Sequence, residues 1–121
     1  MTKIGNNNIL DVLEAGLKAE GLRQKTIASN VANMETPGYR RVDVNFKDLL
    51  AQAMDSSGDV DVADLEPEVY RPGNTAVNEM GNDVNLEVEI GAMVKNTLQH
   101  KTYIKLLQKK YAQMELAMNV K

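Results

Sequence analysis

The sequence predicts a mainly α protein in which long N- and C-terminal helices form an antiparallel coiled-coil hairpin, with a partly disordered middle that carries at most a small β element. Aromatic residues make up only 4% of the 121 residues, with one Phe and no Trp, so bulky side chains for a globular core are scarce. Apolar residues recur at helical spacing near both ends, whereas the prolines and most acids lie between them. We divide the chain into a flexible N-terminus (1–8), an N-terminal helix (9–36), a turn-rich, partly disordered middle segment (37–83) and a C-terminal helix (84–121).

The N-terminal helix is predicted from apolar residues at spacings of three and four. These residues are Ile9, Leu10, Leu13, Leu17, Ile27, Ala28 and Val31. Gly16 and Gly21 lie inside the pattern, and each lowers the stability of a helix by roughly 1 kcal/mol relative to Ala. The glycines therefore either make the helix marginal alone or let a partner backbone come close, and we expect the helix to be stabilised mainly by what it packs against.

The middle segment combines three kinds of sequence. The stretch "NFKDLLAQAM" (45–54) has the apolar spacing of two or three helical turns. The stretch "DSSGDVDVADLEPE" (55–68) is acidic and poor in apolar residues, which predicts a disordered linker. The stretch "EVYRPGNTAVNEMGNDV" (68–84) alternates short extended pieces with Pro-Gly and Gly-Asn turns, which predicts at most a small β element.

The C-terminal helix has the clearest periodicity, with alternating spacings of four and three. The predicted seam consists of Leu86, Ile90, Met93, Thr97, His100, Ile104, Leu107, Tyr111, Met114 and Met118. This heptad pattern predicts a left-handed coiled coil about 50 Å long, packed against the apolar residues of the N-terminal helix. Leu98, Leu106 and Leu116 project from other sides of the same helix, so we expect contacts with further helices.

Composition excludes several functional classes. A net charge of −3 argues against a nucleic-acid binder, whose surface is usually basic. Cysteine is absent, which excludes a disulfide framework, a thiolate nucleophile and a Cys-based metal site. The N-terminus lacks the basic segment and apolar block of a cleavable signal peptide. No run approaches the ~20 apolar residues of a membrane span, so we expect no direct membrane insertion.

Charge is unevenly distributed along the chain. Residues 55–68 contain six acids and no base, whereas residues 95–110 contain five lysines and no acid. One interpretation is two solvated surfaces. The other is electrostatic complementarity between neighbouring copies, and composition leaves both open.

Candidates for catalysis or metal binding are few. His100, the single His, lies on the predicted seam without a second His or a Cys, so we interpret it as a polar residue that sets helix register. Part of an EF-hand calcium loop is matched by Asp55, Ser57, Asp59, Asp61 and Glu66. Val60 stands where that loop needs Gly, however, and Pro67 interrupts the following helix. No Gly-rich phosphate loop is present. We therefore expect no enzymatic activity, no cofactor and no metal site.

The stretch "ASNVANMETPGYRR" (28–41) ends the N-terminal helix with more specific chemistry than a helix stop requires. Asn30 and Asn33 can hydrogen-bond the local backbone, and Asn tolerates the left-handed conformation that ends helices. Residues 36–39 place Pro and Gly at the two central positions of a type II turn. We therefore predict a sharp reversal that returns Tyr39 to the end of the helix.

These residues also resemble a known signature. The stretch "LRQKTIASNVANMETPGY" (22–39) is similar to the N-terminal motif of the bacterial flagellar rod and hook axial proteins, and "YRRVDVNF" (39–46) resembles its continuation in the short proximal rod members. The stretch "GNDVNLEVEI" (81–90) resembles the segment before their C-terminal helix. Asn45 and Asn85 stand where an acid is usual in that family.

The resemblance implies a structural role in the flagellar basal body. It implies a subunit of the proximal rod that self-assembles with other rod proteins into the axial drive shaft and export channel, after export by the flagellar type III apparatus without signal cleavage. The implied partners are other rod proteins, basal-body ring and rod-junction proteins, the export apparatus and copies of itself. The implied assembly and turn motif is Asn30, Ala32, Asn33, Thr36, Pro37, Gly38 and Tyr39. The alternative is a soluble helical-hairpin adaptor or chaperone that binds a partner helix.

Overall fold

The computed structural model describes residues 9–55 and 61–120, so the predicted flexible N-terminus (1–8) lies outside the described residues. The elements are α1 (Ile9–Ala32), β1 (Asp43–Asn45), α2 (Lys47–Asp55), a 3-10 helix (Val62–Asp64), β2 (Glu68–Tyr70) and α3 (Leu86–Asn119). Helix α1 has 24 residues and α3 has 34. The fold is therefore mainly α, with long helices near both ends of the chain, as predicted.

Helices α1 and α3 pack antiparallel, which confirms the predicted hairpin. Near the end of α1, Asn30 Nδ2 donates to Glu89 Oε1 near the start of α3 (3.0 Å). Near the start of α1, Glu14 Oε2 accepts from the Tyr111 hydroxyl near the end of α3 (3.1 Å). Contacts between the helices therefore run in opposite order along the two sequences.

Gly16 allows the two helices to approach closely. A Cβ built at this position would overlap the Tyr103 ring of α3, so any side chain on residue 16 would displace that ring. Gly21 differs, because nothing lies within 4 Å of the position that a Cβ would occupy there. At Gly16 the group that comes close is thus the Tyr103 side chain, and not the partner backbone that was expected.

The middle segment packs on a second face of α1. β1 pairs with β2 in an antiparallel two-stranded sheet, with Val44 opposite Val69, and this confirms a small β element. α2 confirms the helical turns predicted for residues 45–54. The buried core of this part consists of Ala15, Ala19, Val44, Phe46, Ala53 and Val62. Small alanines on α1 therefore let the middle segment pack close to that helix.

The structure places only part of the predicted seam between α1 and α3. Leu107 is buried, and Met93, His100 and Ile104 are half-buried. The exposed members are Leu86, Ile90, Thr97, Tyr111, Met114 and Met118. On α1, the expected partners Leu13 and Ile27 are buried, and Leu10, Leu17 and Val31 are half-buried.

The packing of Leu86 and Ile90 against α1 is therefore corrected. They are 42% and 54% exposed, whereas Glu89 and Asn96 are almost completely buried on the face toward α1. The physical reason is hydrogen bonding, because a buried polar group with a partner avoids most of the cost of leaving water. A pattern built from apolar residues alone misses such positions.

The prediction of a disordered acidic linker is wrong for residues 61–68. The Val62 side chain is fully buried, Leu65 packs against the same core, and the Asp61 carboxylate caps the 3-10 helix by accepting from Ala63 N–H (3.0 Å). Two apolar side chains three residues apart are enough to anchor the segment, although its average composition is acidic.

Two of the residues considered for calcium, Ser57 and Asp59, lie outside the described residues. In residues 9–55 and 61–120, no three acidic or His side chains are grouped so that they could hold a metal ion. In the same ranges, no helix has both the length and the apolar character needed to cross a membrane.

Candidate assembly site at the junction of the helices

The chain reverses at the end of α1 through the predicted type II turn. Tyr39 N–H donates to the Thr36 carbonyl (3.2 Å), and Gly38 has φ 76°, as the third position of this turn requires. The Tyr39 hydroxyl then lies 3.1 Å from Asn30 Oδ1 and 3.3 Å from Ser29 Oγ. The predicted return of Tyr39 to the helix end is confirmed.

Asn30 is the centre of the junction. Its side chain is fully buried and uses all of its hydrogen-bonding capacity. The Nδ2 group donates to the Val42 carbonyl (2.9 Å) and to Glu89 Oε1 (3.0 Å). The Oδ1 atom accepts from the Val42 N–H (2.9 Å) and the Tyr39 hydroxyl (3.1 Å). One amide therefore joins α1, the segment leading into β1, and α3.

Glu89 carries a buried charge at this junction. Its side chain is fully buried, and Arg41 Nε donates to Glu89 Oε2 at 2.9 Å. Burial alone would lower the pKa of Arg41, but the hydrogen bond and charge of Glu89, together with the charge of Asp43, outweigh it and raise that pKa. Arg41 therefore stays charged and neutralises Glu89. Removing either partner would leave the other as an unpaired buried charge, which costs more stability than replacing both residues with apolar ones.

Asp83 forms a second buried ion pair just before α3. Asp83 Oδ1 accepts from the Arg41 N–H (2.6 Å), and Oδ2 accepts from Arg40 Nε (3.1 Å). Burial alone would raise the pKa of Asp83, but these hydrogen bonds and the Arg40 charge outweigh it and lower that pKa. The carboxylate is thus held ionised and binds the backbone directly after the turn.

Asn33 and Asn82 complete the junction through the backbone. Asn82 is buried, and its Nδ2 donates to the carbonyls of Asn33 and Thr36, both at 2.8 Å. The Asn33 carbonyl also accepts from the Thr36 N–H, and the Thr36 carbonyl from the Tyr39 N–H, so Asn82 adds a second hydrogen bond to each acceptor. Asn33 Nδ2 donates back to the Ser29 carbonyl (2.9 Å). Asn30 and Asn33 therefore differ in role, since Asn30 joins three elements and Asn33 caps one helix.

Two glycines let the loop before α3 lie directly on the turn. Gly38 N–H donates to the Met80 carbonyl (2.8 Å). Gly81 has φ 78°, and a Cβ on it would lie 3.6 Å from Gly38 Cα. Arg71 covers the outer side, with its guanidinium 5.5 Å from the centre of the Tyr39 ring. The segments 28–41 and 81–90, about 50 residues apart in sequence, thus form one site.

Some residues of the junction are predictable from the sequence and others are not. Of the predicted motif, the structure brings Asn30, Asn33 and Tyr39 together at the junction. The other members, Ala32, Thr36, Pro37 and Gly38, are exposed. The predicted motif assigns no role to Arg40, Arg41 or Asp83. The available signal was two arginines directly after a turn and two acids flanking the start of a helix, a charge pattern that suggests pairing. That any of these residues contacts a neighbouring subunit stays a prediction.

Asn85 explains how an amide replaces the usual acid before α3. Its Oδ1 accepts from the N–H groups of Glu87 (3.0 Å) and Val88 (3.3 Å), so it is the N-cap of α3. Asn and Asp are comparably good at this position because both offer a short side-chain oxygen. The substitution keeps the start of the helix.

A cleft of about 410 Å³ lies beside the junction, between α1, β1 and α3. Its charged wall mixes acids and bases, among them Glu20, Arg23, Asp43 and Lys95. Arg23 and Glu20 are 3.6 Å apart within it. His100 is half-buried on α3 and is not part of the cleft lining; its role in helix register stays a prediction.

Comparison with known proteins shows which families and relatives the sequence of this chain resembles. The family model described as "Flagella basal body rod protein" matches residues 10–40. The flagellar basal body rod protein FlgB of Bacillus subtilis is 26% identical over 108 residues, covering 82% of this chain and 84% of that protein. FlgB of Cereibacter sphaeroides is 29% identical, covering 80% and 87%. The flagellar basal-body rod protein FlgG of Caulobacter vibrioides is 31% identical, covering 67% of this chain and 25% of FlgG.

Proposed function

We propose that the chain is a structural subunit of the proximal part of the rod. The reason is that it belongs to the flagellar basal body rod protein family. In this role it assembles with copies of itself and with other rod proteins into the axial drive shaft, and it lines the export channel. The partial match to a FlgG protein supports association with other rod components. The matched relatives are named for the rod and not for a reaction, which supports a role without catalysis or cofactor.

The observation that carries the proposal is the apolar surface that α3 leaves uncovered. The residues concerned, each at least 42% exposed, are Leu86, Val88, Ile90, Val94, Leu98, Leu106 and Leu116. They extend along most of a helix that α1 covers on one side only. Large apolar side chains left uncovered along a helix are typical of surfaces that contact another protein. Neighbouring helices in an assembled rod would cover it.

The junction supports the same role through rigidity. A subunit that transmits torque needs a connection between its two helices that does not slide. The junction supplies it with buried contacts across the two helices, so shifting α1 along α3 by one turn would break the hydrogen bond from Asn30 to Glu89 and the ion pair of Arg41 with Glu89. The proposed location is the periplasm-spanning rod of the flagellar basal body, and the proposed route is the flagellar type III apparatus, without a cleaved signal peptide. Basal-body ring and rod-junction proteins are the further proposed partners.

Deletion of the gene in its native bacterium tests the proposal. We expect cells without rods, without filaments and without motility, and we expect the wild-type gene on a plasmid to restore all three. Electron microscopy of isolated basal bodies is the measurement. Complete basal bodies and rotating flagella in the deletion strain would reject the rod assignment. A small, stable oligomer of the purified protein bound to one partner helix would instead favour the adaptor alternative.

A further inference from the structure

The face of α3 turned away from α1 carries a row of lysines. Counted at 3.6 residues per turn, Lys101, Lys105 and Lys109 lie opposite the buried positions of the same helix, and all three are exposed. We call them the lysine row. No ion pair among residues 9–55 and 61–120 includes any of them. Like charges four residues apart repel each other along a helix, so the row weakens the isolated helix and would be relieved by an acidic partner.

An apolar patch continues the row toward the start of α3. Val94 and Leu98 lie on the same outer face and are 56% and 61% exposed. Between residues 90 and 114 the helix contains no acid, so nothing on the helix itself neutralises the lysines. A surface that joins an apolar patch to a single-sign charged row fits a protein partner that brings both apolar contact and negative charge.

The same chain carries an acidic surface of the required kind. It consists of Asp61, Asp64, Glu66 and Glu68, and Asp64 and Glu68 are exposed. Within residues 9–55 and 61–120, Glu66 is the one member with a basic partner, Lys18 Nζ at 2.8 Å. Val62 anchors this surface in the core beside Ala15 and Ala19, so the surface is built into the fold. Val69, 47% exposed beside Glu68, adds apolar area.

We propose that the lysine row of one copy docks on the acidic surface of a second copy. The row lies on α3 and the acidic surface on the middle segment, and no ion pair joins the two in the described parts of one chain. In a pair of copies, one copy then keeps a free acidic surface and the other keeps a free lysine row. A contact between two different surfaces is heterologous, and it extends into a helical or ring-shaped series instead of closing as a two-fold dimer. This inference rests on the proposed function and names the partner surface for its self-assembly.

Charge reversal in purified protein tests the contact. We expect the variant Lys105→Glu/Lys109→Glu to need about a tenfold higher protein concentration for half-maximal association, because two attractions become repulsions. The matched control Lys25→Glu/Lys47→Glu changes net charge equally and alters exposed lysines elsewhere, so association should not weaken. Sedimentation velocity measures association, and circular dichroism verifies equal helix content. Equal weakening in both variants, or no association of the wild type at any concentration, would overturn the proposal.

A mixing experiment separates this contact from a general charge effect. The variant Asp64→Lys/Glu68→Lys should also fail to associate alone. An equal mixture of it with Lys105→Glu/Lys109→Glu should associate, because the intact acidic surface of one meets the intact lysine row of the other. Raising the salt from about 0.05 to about 0.5 M should dissociate the mixture. A mixture that stays monomeric would contradict the proposal, as would a DNA duplex or an anionic vesicle that binds the wild type more tightly than a second copy does.

The outcome in cells distinguishes this inference from the rod assignment. If the deletion strain lacks rods and Lys105→Glu/Lys109→Glu restores full motility, the rod function stands and the lysine contact is rejected. If the deletion strain keeps its rods, the rod function itself is rejected. The result expected here is loss of motility in the row variant and full motility in the Lys25→Glu/Lys47→Glu control.

Discussion

Replacing Asn30 with Ala should destabilise the protein by about 3 kcal/mol. The change leaves Glu89 Oε1 without its Asn30 donor and leaves both backbone groups of Val42 unpaired. A buried group that loses its partner costs about 1–3 kcal/mol, with charged groups at the upper end. Glu89 is fully buried, whereas Val42 is half-buried and can regain hydrogen bonds to water. The summed cost of the three unpaired groups therefore lies well below three times the upper value. The Tyr39 hydroxyl keeps Ser29 as a neighbour.

Urea denaturation followed by circular dichroism at 25 °C measures this loss. A loss of about 3 kcal/mol corresponds to a midpoint lower by about 2 M for a chain of this size. Asn33→Ala is the matched control in the same motif. It removes two exposed hydrogen bonds, one to the Ser29 carbonyl and one from the Thr36 hydroxyl, so we expect a loss of about 1 kcal/mol. A loss for Asn30→Ala no larger than that for Asn33→Ala would refute the central role of Asn30.

Asn30→Asp tests the same point without changing side-chain volume. The aspartate cannot donate to Val42 or Glu89, and it places a second carboxylate against Glu89. We expect at least half of the destabilisation seen with Ala at neutral pH. An effect near zero would show that shape, and not hydrogen bonding, is what the site requires.

Two further predictions concern packing and charge. Gly21→Ala should stabilise the protein by about 1 kcal/mol, because helix propensity improves and the new Cβ meets nothing. Gly16→Ala should lose this gain or reverse it, because its Cβ displaces the Tyr103 ring; equal stabilisation of both variants in thermal melts would contradict this. Since the pKa of Asp83 is lowered in the folded state, its contribution is present above the unfolded pKa of about 3.9 and is lost as pH falls through the folded value. Asp83→Asn should therefore be less stable than the wild type at neutral pH, with a difference that shrinks in acid, and a constant difference would count against the ion pair.

Local chemistry was the part of the fold that the sequence could predict. The turn at residues 36–39 follows from Pro and Gly at adjacent positions, and each long helix follows from its own periodicity. These features depend on neighbours in sequence. The matching of two helices is different, because it depends on which faces meet. The Asn30 and Glu89 contact joins residues 59 positions apart.

Polar burial explains why the seam was only partly predicted. The face of α3 toward α1 includes Glu89 and Asn96, which a hydrophobic pattern assigns to solvent. Asn96 Nδ2 donates to the Glu20 carbonyl (2.7 Å) and to Glu20 Oε1 (3.1 Å), and this partner is visible only once the helices are docked. The apolar residues Leu86 and Ile90 are consequently free to face outward.

Average composition also misled the assignment of the acidic stretch. Val62 lies between Asp61 and Ala63-Asp64, yet it is fully buried, and Leu65 packs against the same core. The free energy of ordering a short segment depends on the few side chains that reach the core, whereas a window average weights every residue equally. The charges of Arg41, Asp83 and Glu89 are visible in the sequence, but their pairing depends on the fold, because Asp83 and Glu89 arrive from a distant part of the chain.

The two ends of the helix pair differ greatly in how strongly they are fastened. Buried ion pairs and amide bonds hold the end at Asn30, whereas the contact between Glu14 and Tyr111 at the other end is exposed. Water competes freely for an exposed hydrogen bond and hardly at all for a buried one. We therefore expect the two helices to separate first at the Tyr111 end, with the separation progressing toward Asn30, where the buried contacts break last.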